Sequence, residues 1–409
     1  MRDFFLKYRY PLLLALLWAL IITGFQALAN ARYAPYRPDY ALGWTPNETA
    51  ANSQQDKPYL IEPFMNQAVS WDSEFYLSVA LVGYDDPAVR LVTTPEANYS
   101  MSNAFFPLYP LVMRGLIAPL GLLGLNPIAT ATLAGVIVSM LGAIAGCLAL
   151  YDIVRNALDE ADAQRAVAYL LFFPSAFFLA QVYTEGLFIG LAFGCLALLR
   201  RGRWGWAALL AVLATWTRAV GVALVVPILW TAAQGIDWRG GGWRRLGREQ
   251  LSRIGVALSP VAAFLLWWLS TLGARFRPVQ QYWFGRGAFS WKSSLQTWAN
   301  AWDLFANGHI QSRAYYLIEF AAIILALAAC IYLLKRMPDL ALFGLAVMFI
   351  TLTSGQAQGM HRYVLAVPPL FVALAIWGRN AIFDRAWTTA SLLLLGMLAT
   401  LFTFDFWVG

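Results

Sequence analysis

An all-α, multi-span membrane protein is what three features of this chain predict. Hydrophobic residues make up 60% of it and charged residues only 12%, about half the charged share of a soluble domain. Apolar runs near the roughly 20 residues that cross a bilayer recur along its length. Its basic residues gather in short segments between those runs, as Lys and Arg do on the cytoplasmic side of a membrane.

The runs predict about eleven transmembrane helices, at 10–30, 127–153, 166–182, 186–200, 204–217, 219–234, 251–272, 315–335, 338–354, 362–378 and 386–405. The first has no small-residue cleavage site and reads as a retained span rather than a signal peptide. The segment 105–124 is apolar but interrupted by Pro107, Pro110, Arg114 and Pro119, which favours an interfacial helix over a span. Reading it as a span would invert all that follows and place the basic loops outside. Trp71 to Tyr84 is expected to form a short helix lying flat on the outer surface. The chain is one integral membrane domain, 1–409, with two long external loops at 31–126 and 273–314.

Orientation follows from charge. Lys7, Arg9, Arg155, Arg165, Arg200, Arg201, Arg203, Arg239, Arg244, Arg245, Arg248, Arg253, Lys335, Arg336, Arg379 and Arg385 all fall inside if the N-terminus is cytoplasmic. The stretch 31–104 instead holds nine acidic residues against four basic ones. The net charge of +7 is therefore topological and argues against nucleic-acid binding. Cys147, Cys195 and Cys330 lie in apolar segments, away from any loop disulfide. With only His309 and His361 there is no zinc pattern, and neither metal nor cofactor is expected. Asn47-Glu48-Thr49 and Asn98-Tyr99-Ser100 match the glycosylation tripeptide, a pattern common by chance.

Four places carry candidate chemistry. Asp72 and Glu74, in Trp71-Asp72-Ser73-Glu74-Phe75-Tyr76, are carboxylates in an aromatic setting just beyond the first span. Either can serve as a general base at the lipid–water boundary or be an ordinary solvated carboxylate. The spacing i, i+2 puts them on different sides of a helix. Asp85-Asp86 before Pro87 reads as a solvated turn or a metal site. Glu185, in Tyr183-Thr184-Glu185-Gly186, borders hydrocarbon, where ionisable groups mark function, or it stabilises a helix N-terminus. Arg218 sits in Thr215-Trp216-Thr217-Arg218-Ala219-Val220-Gly221, which splits 204–234 into two segments of about 14 residues, each rising about 21 Å. An arginine buried there needs an anion, which could be Asp72, Glu185 or a phosphate. His361 and Arg362 open the tenth span and can hold a phosphodiester or anchor the interface. Asp72, Glu185, Arg218 and Arg362 are expected on one side of the membrane, around one cavity.

Trp71-Asp72-Ser73-Glu74-Phe75, Phe105-Phe106-Pro107-Leu108-Tyr109-Pro110, Phe173-Pro174-Ser175-Ala176-Phe177-Phe178 leading to Tyr183-Thr184-Glu185-Gly186-Leu187-Phe188, Thr217-Arg218-Ala219-Val220-Gly221 and Arg362-Tyr363 together resemble the PIG-V family. These membrane mannosyltransferases belong to the GT-C superfamily and include the enzyme that adds the second mannose of the GPI anchor. The resemblance implies a GT-C helical bundle and a polyprenyl-phosphate sugar donor, typically dolichyl-phosphate mannose. It implies inverting transfer to a lipid or glycolipid acceptor in an external or lumenal site. It puts Asp72 at the position of the base, and Trp71, Tyr109, Tyr183 and Glu185 fall within its motifs as pocket residues. The family pattern often has Arg-Ser-Asn-Gly where this chain has Arg218-Ala219-Val220-Gly221. The compact length is prokaryotic in style, which implies the cell's inner or plasma membrane; a eukaryotic protein of this kind would sit in the endoplasmic reticulum.

The residue types fit that chemistry. An acceptor hydroxyl must lose a proton as it attacks the anomeric carbon, and a carboxylate can take it. The polyprenyl phosphate leaves with negative charge, which Arg218, Arg362 and His361 are candidates to meet. A lipid-linked donor needs no nucleotide site. The rival from another class is a transporter or flippase for a lipid-linked sugar, which has no use for a base at Asp72.

Overall fold

The structure, a computed structural model, describes residues 2–33, 57–234, 247–287 and 290–409. The Asn47 tripeptide and Arg239, Arg244 and Arg245 lie outside the described residues. The protein is an all-α integral membrane protein. Its helices are α1 (Arg2–Tyr33), α2 (Ser73–Leu81), α3 (Leu108–Leu120), α4 (Pro127–Ala157), α5 (Glu160–Phe172), α6 (Glu185–Arg200), α7 (Trp204–Thr217) and α8 (Val225–Gln234). They continue with α9 (Arg248–Leu269), α10 (Thr271–Tyr282), α11 (Trp291–Asn307), α12 (Ile310–Leu333), α13 (Pro338–Leu352), α14 (Met360–Tyr363), α15 (Pro368–Trp377) and α16 (Ala381–Thr403). A two-stranded antiparallel hairpin, β1 (Leu91–Thr93) with β2 (Asn98–Ser100), pairs Leu91 with Ser100 and Thr93 with Asn98.

Among the described residues five helices, α1, α4, α9, α12 and α16, are long and apolar enough to cross a membrane. The pair α14–α15 makes a sixth if its two arms, bent by 85°, form one span. The remaining expected spans are shorter or broken, each for a local reason. The run 166–182 is α-helical only to Phe172. Phe173 precedes Pro174, is pushed to an extended conformation (φ −58°, ψ 143°), and a 3₁₀ turn, Ala176–Ala180, follows. The run 204–234 breaks at Arg218, which is extended (φ −151°, ψ 139°), before a 3₁₀ segment, Ala219–Leu224. Gly221 permits that break: a Cβ there would lie 2.5 Å from the backbone nitrogen of Thr215.

The stretch 273–314, expected as a long external loop, holds most of α10 and all of α11, neither of them among the helices long and apolar enough to cross a membrane. Trp291, Leu295, Trp298, Trp302 and Phe305 recur every three or four residues, an amphipathic helix stripe. Helix α2 forms where expected but does not lie open on a surface, since Ser73 to Ala80 are all buried by protein. Arg114 of α3 donates to the carbonyls of Ala80 and Val79, both at 2.8 Å, which satisfies the last turn of α2.

At the centre α4 and α6 pack backbone to backbone. A Cβ on Gly186 would lie 2.1 Å from the Ser139 carbonyl oxygen, and one on Gly190 would lie 2.5 Å from that of Gly142. Small residues one turn apart are how helices approach closely where lipid removes the hydrophobic drive between them. This contact fixes the start of α6, where Glu185 sits. Around it Phe177, Phe178, Tyr183 and Phe402 form a fully buried aromatic cluster with ring centroids 4.4–5.6 Å apart.

Candidate active site

The residues that carry charge into the bundle come from four separate breaks in helical structure. Asp72 precedes α2. Thr184 and Glu185 open α6, Arg218 ends α7, and Arg362 lies in the four-residue α14. Such breaks aim side chains and backbone into a shared space, which an unbroken helix surface does not.

Asp72 is the N-cap of α2, yet its carboxylate makes no capping bond to the helix. An aspartate at this position ordinarily accepts from the next turn. Here its Oδ2 instead accepts from Arg362, Nη1 at 3.2 Å, and its side chain is 23% exposed. Its backbone N–H donates to the Tyr183 hydroxyl at 3.3 Å, which itself donates to the Ser70 carbonyl at 3.1 Å. The preceding Trp71 is held at φ +53°, the left-handed region that costs a bulky residue about 1–2 kcal/mol. Its indole donates to the Phe406 carbonyl at 3.3 Å and packs edge-on against Trp407. Strain of this kind persists only where surroundings over-determine it, and it collects at functional sites.

Glu185 links the two arginines. Its Oε1 accepts from Arg218 and lies 3.3 Å from Nε of Arg362. Arg218 also donates to Thr184 Oγ1 at 3.0 Å. Glu185 and Arg362 are 4% and 6% exposed, so this is a buried network. The second carboxylate oxygen of Glu185 is buried with no hydrogen-bond partner among the described residues. The Arg362 guanidinium lies 5.3 Å from the ring centroids of both Phe178 and Tyr183, and that of Arg218 lies 4.9 Å from Tyr363. A small cavity borders the network, lined by Glu185, Phe188, Arg218, Thr351, Arg362 and Tyr363 among others.

The expected convergence of Asp72, Glu185, Arg218 and Arg362 is thus present as one connected set of ion pairs. Tyr183 stands against Asp72, and Tyr109 supports it at one remove. Tyr109 donates to the Gly135 carbonyl at 2.9 Å and lies 3.0 Å from Ser139 Oγ, which donates to the Tyr183 carbonyl at 2.7 Å.

Two expected residues stand elsewhere. Glu74 turns away from Asp72, with Oε2 3.8 Å from Lys57 Nζ. His361, next to Arg362 in sequence, points to α12, where its Nδ1 lies 3.2 Å from Glu319 Oε1. Asp86 is buried and accepts from Tyr59, from Ser78 Oγ at 2.8 Å and from the Ala88 N–H at 2.9 Å. It organises a turn, and no group of three or more His, Cys, Asp or Glu side chains fit to hold a metal occurs among the described residues.

Sequence reasoning passed over Glu319. It accepts the backbone N–H groups of Gly359 at 2.7 Å and His361 at 3.1 Å. Gly359, the N-cap of α14, has no side chain to do this, so a carboxylate from another helix caps the turn that carries Arg362. A lone Glu inside a 24-residue apolar helix was the available signal.

Comparison with known proteins bears on these residues. The family model for mannosyltransferase (PIG-V) matches residues 10–236, more than half of the chain. The chain belongs to the PIG-V mannosyltransferase family. Asp72, Glu185 and Arg218 lie inside the matched range and Arg362 lies beyond it. The chain is 32% identical over 223 residues to GPI alpha-1,6-mannosyltransferase 2 of Homo sapiens, and 31% identical to that of Mus musculus. Each of these alignments takes in 51% of this chain and 40% of the relative, so the shared stretch spans less than half of those proteins. Among solved structures it is similar to ArnT from Cupriavidus metallidurans bound to undecaprenyl phosphate. That match has a TM-score of 0.44 and 13% identity, covering 82% of this chain and 72% of that one. It is also similar to the archaeal oligosaccharyltransferase AglB from Archaeoglobus fulgidus in complex with an inhibitory peptide and a dolichol-phosphate. There the TM-score is 0.42 and the identity 14%, covering 95% of this chain and 55% of that one.

Proposed function

We propose that this PIG-V family member transfers a mannosyl residue from a polyprenyl-phosphate donor to a hydroxyl of a lipid or glycolipid acceptor, with inversion at the anomeric carbon. The observation that carries this reading is the contrast within one ion-pair network. Asp72 is a partly exposed carboxylate, whereas Glu185 is buried and gripped by arginine. Asp72 is accessible to an acceptor, and Arg218 and Arg362 are cations in a desolvated setting, where they act strongly on developing negative charge. The sugar follows from the family and from the relatives named as mannosyltransferases.

In this mechanism the acceptor oxygen attacks the anomeric carbon as the bond from that carbon to the phosphate oxygen breaks. The acceptor proton passes to the Asp72 carboxylate, and the electron pair of the broken bond leaves on the polyprenyl phosphate beside Arg218 and Arg362. The unpartnered oxygen of Glu185 accepts from a sugar hydroxyl. Arginine asymmetry supports a cytoplasmic N-terminus with this site on the opposite side, in the inner or plasma membrane if the cell is prokaryotic and in the endoplasmic reticulum if it is eukaryotic.

The test is incubation of the purified protein with polyprenyl-phosphate mannose and a panel of lipid acceptors bearing free hydroxyls. A mannosylated lipid of inverted anomeric configuration is expected. Movement of the donor across a liposome bilayer with no product from any acceptor would replace transfer by flipping.

A further inference from the structure

Three arginines, not two, surround the Tyr363 ring. Arg218 lies 4.9 Å from its centroid, Arg362 5.4 Å and Arg286 5.8 Å. Arg286 comes from the segment between α10 and α11, which sequence reasoning took for part of an external loop. The other two have carboxylates. Arg218 pairs with Glu185, and Arg362 pairs with Asp72 and lies beside Glu185. Arg286 has no carboxylate within ion-pair distance among the described residues. Its Nη2 lies 3.5 Å from the Gln356 amide oxygen, and its buried Nε has no hydrogen-bond partner there. Among the described residues, three guanidinium groups against two carboxylates leave one positive charge uncompensated around the Tyr363 ring. A charge held among buried groups in this way calls for an anion.

We propose that Arg286 is a third phosphate-binding residue of the donor site, and that a backbone contact between Gly285 and Gly355 holds it there. This rests on the donor reading given above. A sugar phosphodiester carries a single negative charge, the amount the cluster lacks, and cleavage raises that charge on the leaving phosphate. The placement is built into the backbone. The Arg286 N–H donates to the Gln280 carbonyl at 2.8 Å, and the Gly287 N–H donates to that of Ser354 at 3.1 Å. Gly355 has φ +100°, and a Cβ on it would lie 2.5 Å from the Gly285 carbonyl oxygen and 3.5 Å from Arg286 Cα. Only glycine lets the two segments approach so closely, and a larger residue must push Arg286 away from Tyr363.

The experiment uses the full chain in lipid nanodiscs and measures binding of undecaprenyl phosphate against the matching polyprenol, with thermal melting as the check on folding. Arg286→Gln is expected to weaken binding of the phosphate about tenfold or more, the usual weight of a charge-assisted hydrogen bond. Affinity for the polyprenol and the melting temperature should stay as they are. Arg286→Lys should restore only part of the loss, because an ammonium lacks the planar fork of a guanidinium. Gly355→Ala should reproduce the selective loss with Arg286 still present. Wild-type preference for the phosphate in folded Arg286→Gln would remove Arg286 from the site and leave the donor reading standing. If Arg286→Gln does not fold, undiminished preference in Arg286→Lys has the same force. No preference for the phosphate in the wild-type protein would overturn the donor reading itself.

Discussion

Two carboxylates two residues apart, Asp72 and Glu74, come to opposite fates, and the difference is measurable. Asp72 faces Arg362 with part of its surface open, and Glu74 is buried near Lys57. Asp72→Asn keeps the size of the side chain and removes its power to take a proton. Transfer is expected to fall by about 10²–10⁴-fold, as when general acid–base catalysis is lost, while donor binding and melting temperature stay near wild type. Glu74→Gln should leave the turnover of the folded protein within a few-fold of wild type, and the reverse pattern would exchange the two roles. Arg218 is tested against its alternative, a purely structural pairing with Glu185. The double variant Arg218→Ala with Glu185→Ala removes both charges together. A structural pair predicts partial recovery of stability and activity relative to Arg218→Ala alone, whereas a phosphate ligand predicts a folded protein without transfer.

Helices bring these residues together by ending in the right places, and those endings depend on small residues and on caps. Gly186 stands one residue after Glu185, against the backbone of Ser139. Gly186→Ala must separate α4 from α6, a clash of backbone with Cβ that is expected to cost about 1–3 kcal/mol in stability, with activity lost in parallel. Denaturation in mild detergent checks this, and an unchanged midpoint would mean that the two helices are not in close contact. A second tie lies at α5, where the buried Asp162 is gripped by Arg165 and Arg379. Burial opposes its charge, but the hydrogen bonds from Arg379 and Arg165 prevail and hold its carboxyl below the ordinary value of 3.8. A depressed carboxyl adds stability that is fully present above the unfolded-state value and is lost as pH falls through the folded one. The melting temperature should therefore decline on acidification below about pH 4, and Asp162→Asn should flatten part of that decline. Much at this scale was legible in sequence. The break at Arg218 follows from run length, and the small helix after Trp71 stands where it was expected. What escaped was long-range. Nothing near Glu319 in the chain says that it caps a turn 40 residues later, and nothing near His361 says that the ring turns from Arg362 toward that carboxylate. Helix α11 escaped although Trp291, Trp298 and Trp302 recur at helical spacing.

At the scale of the whole molecule the charge asymmetry and the site make one joint claim. The Asp72, Glu185, Arg218 and Arg362 network lies at the α6 end that begins with Glu185. Arg200 and Arg201 lie at the other end of the same helix, with Asp339 and Asp152 as partners at 2.7 and 2.5 Å. Helix α6 has 16 residues and so rises about 24 Å. On the proposed reading a lipid-linked donor is met at one membrane face only, and the arginine-rich end is expected to open to the other side. Cysteine labelling tests this on a clean background, because Cys147, Cys195 and Cys330 are all buried. Ala161→Cys places a thiol on an exposed position at the start of α5, between Arg155 and Arg165, and Leu122→Cys places one just after α3, where the leucine is 91% exposed. In sealed inside-out and right-side-out vesicles, a membrane-impermeant maleimide should reach Ala161→Cys from the cytoplasmic side and Leu122→Cys from the other. Labelling of both from the same side would discard the opposed placement, and labelling from the reversed sides would place the network toward the cytoplasm. The donor sugar would then have to be presented from within the cell, and the pairing of base and phosphate ligands argued here would have to serve the opposite face.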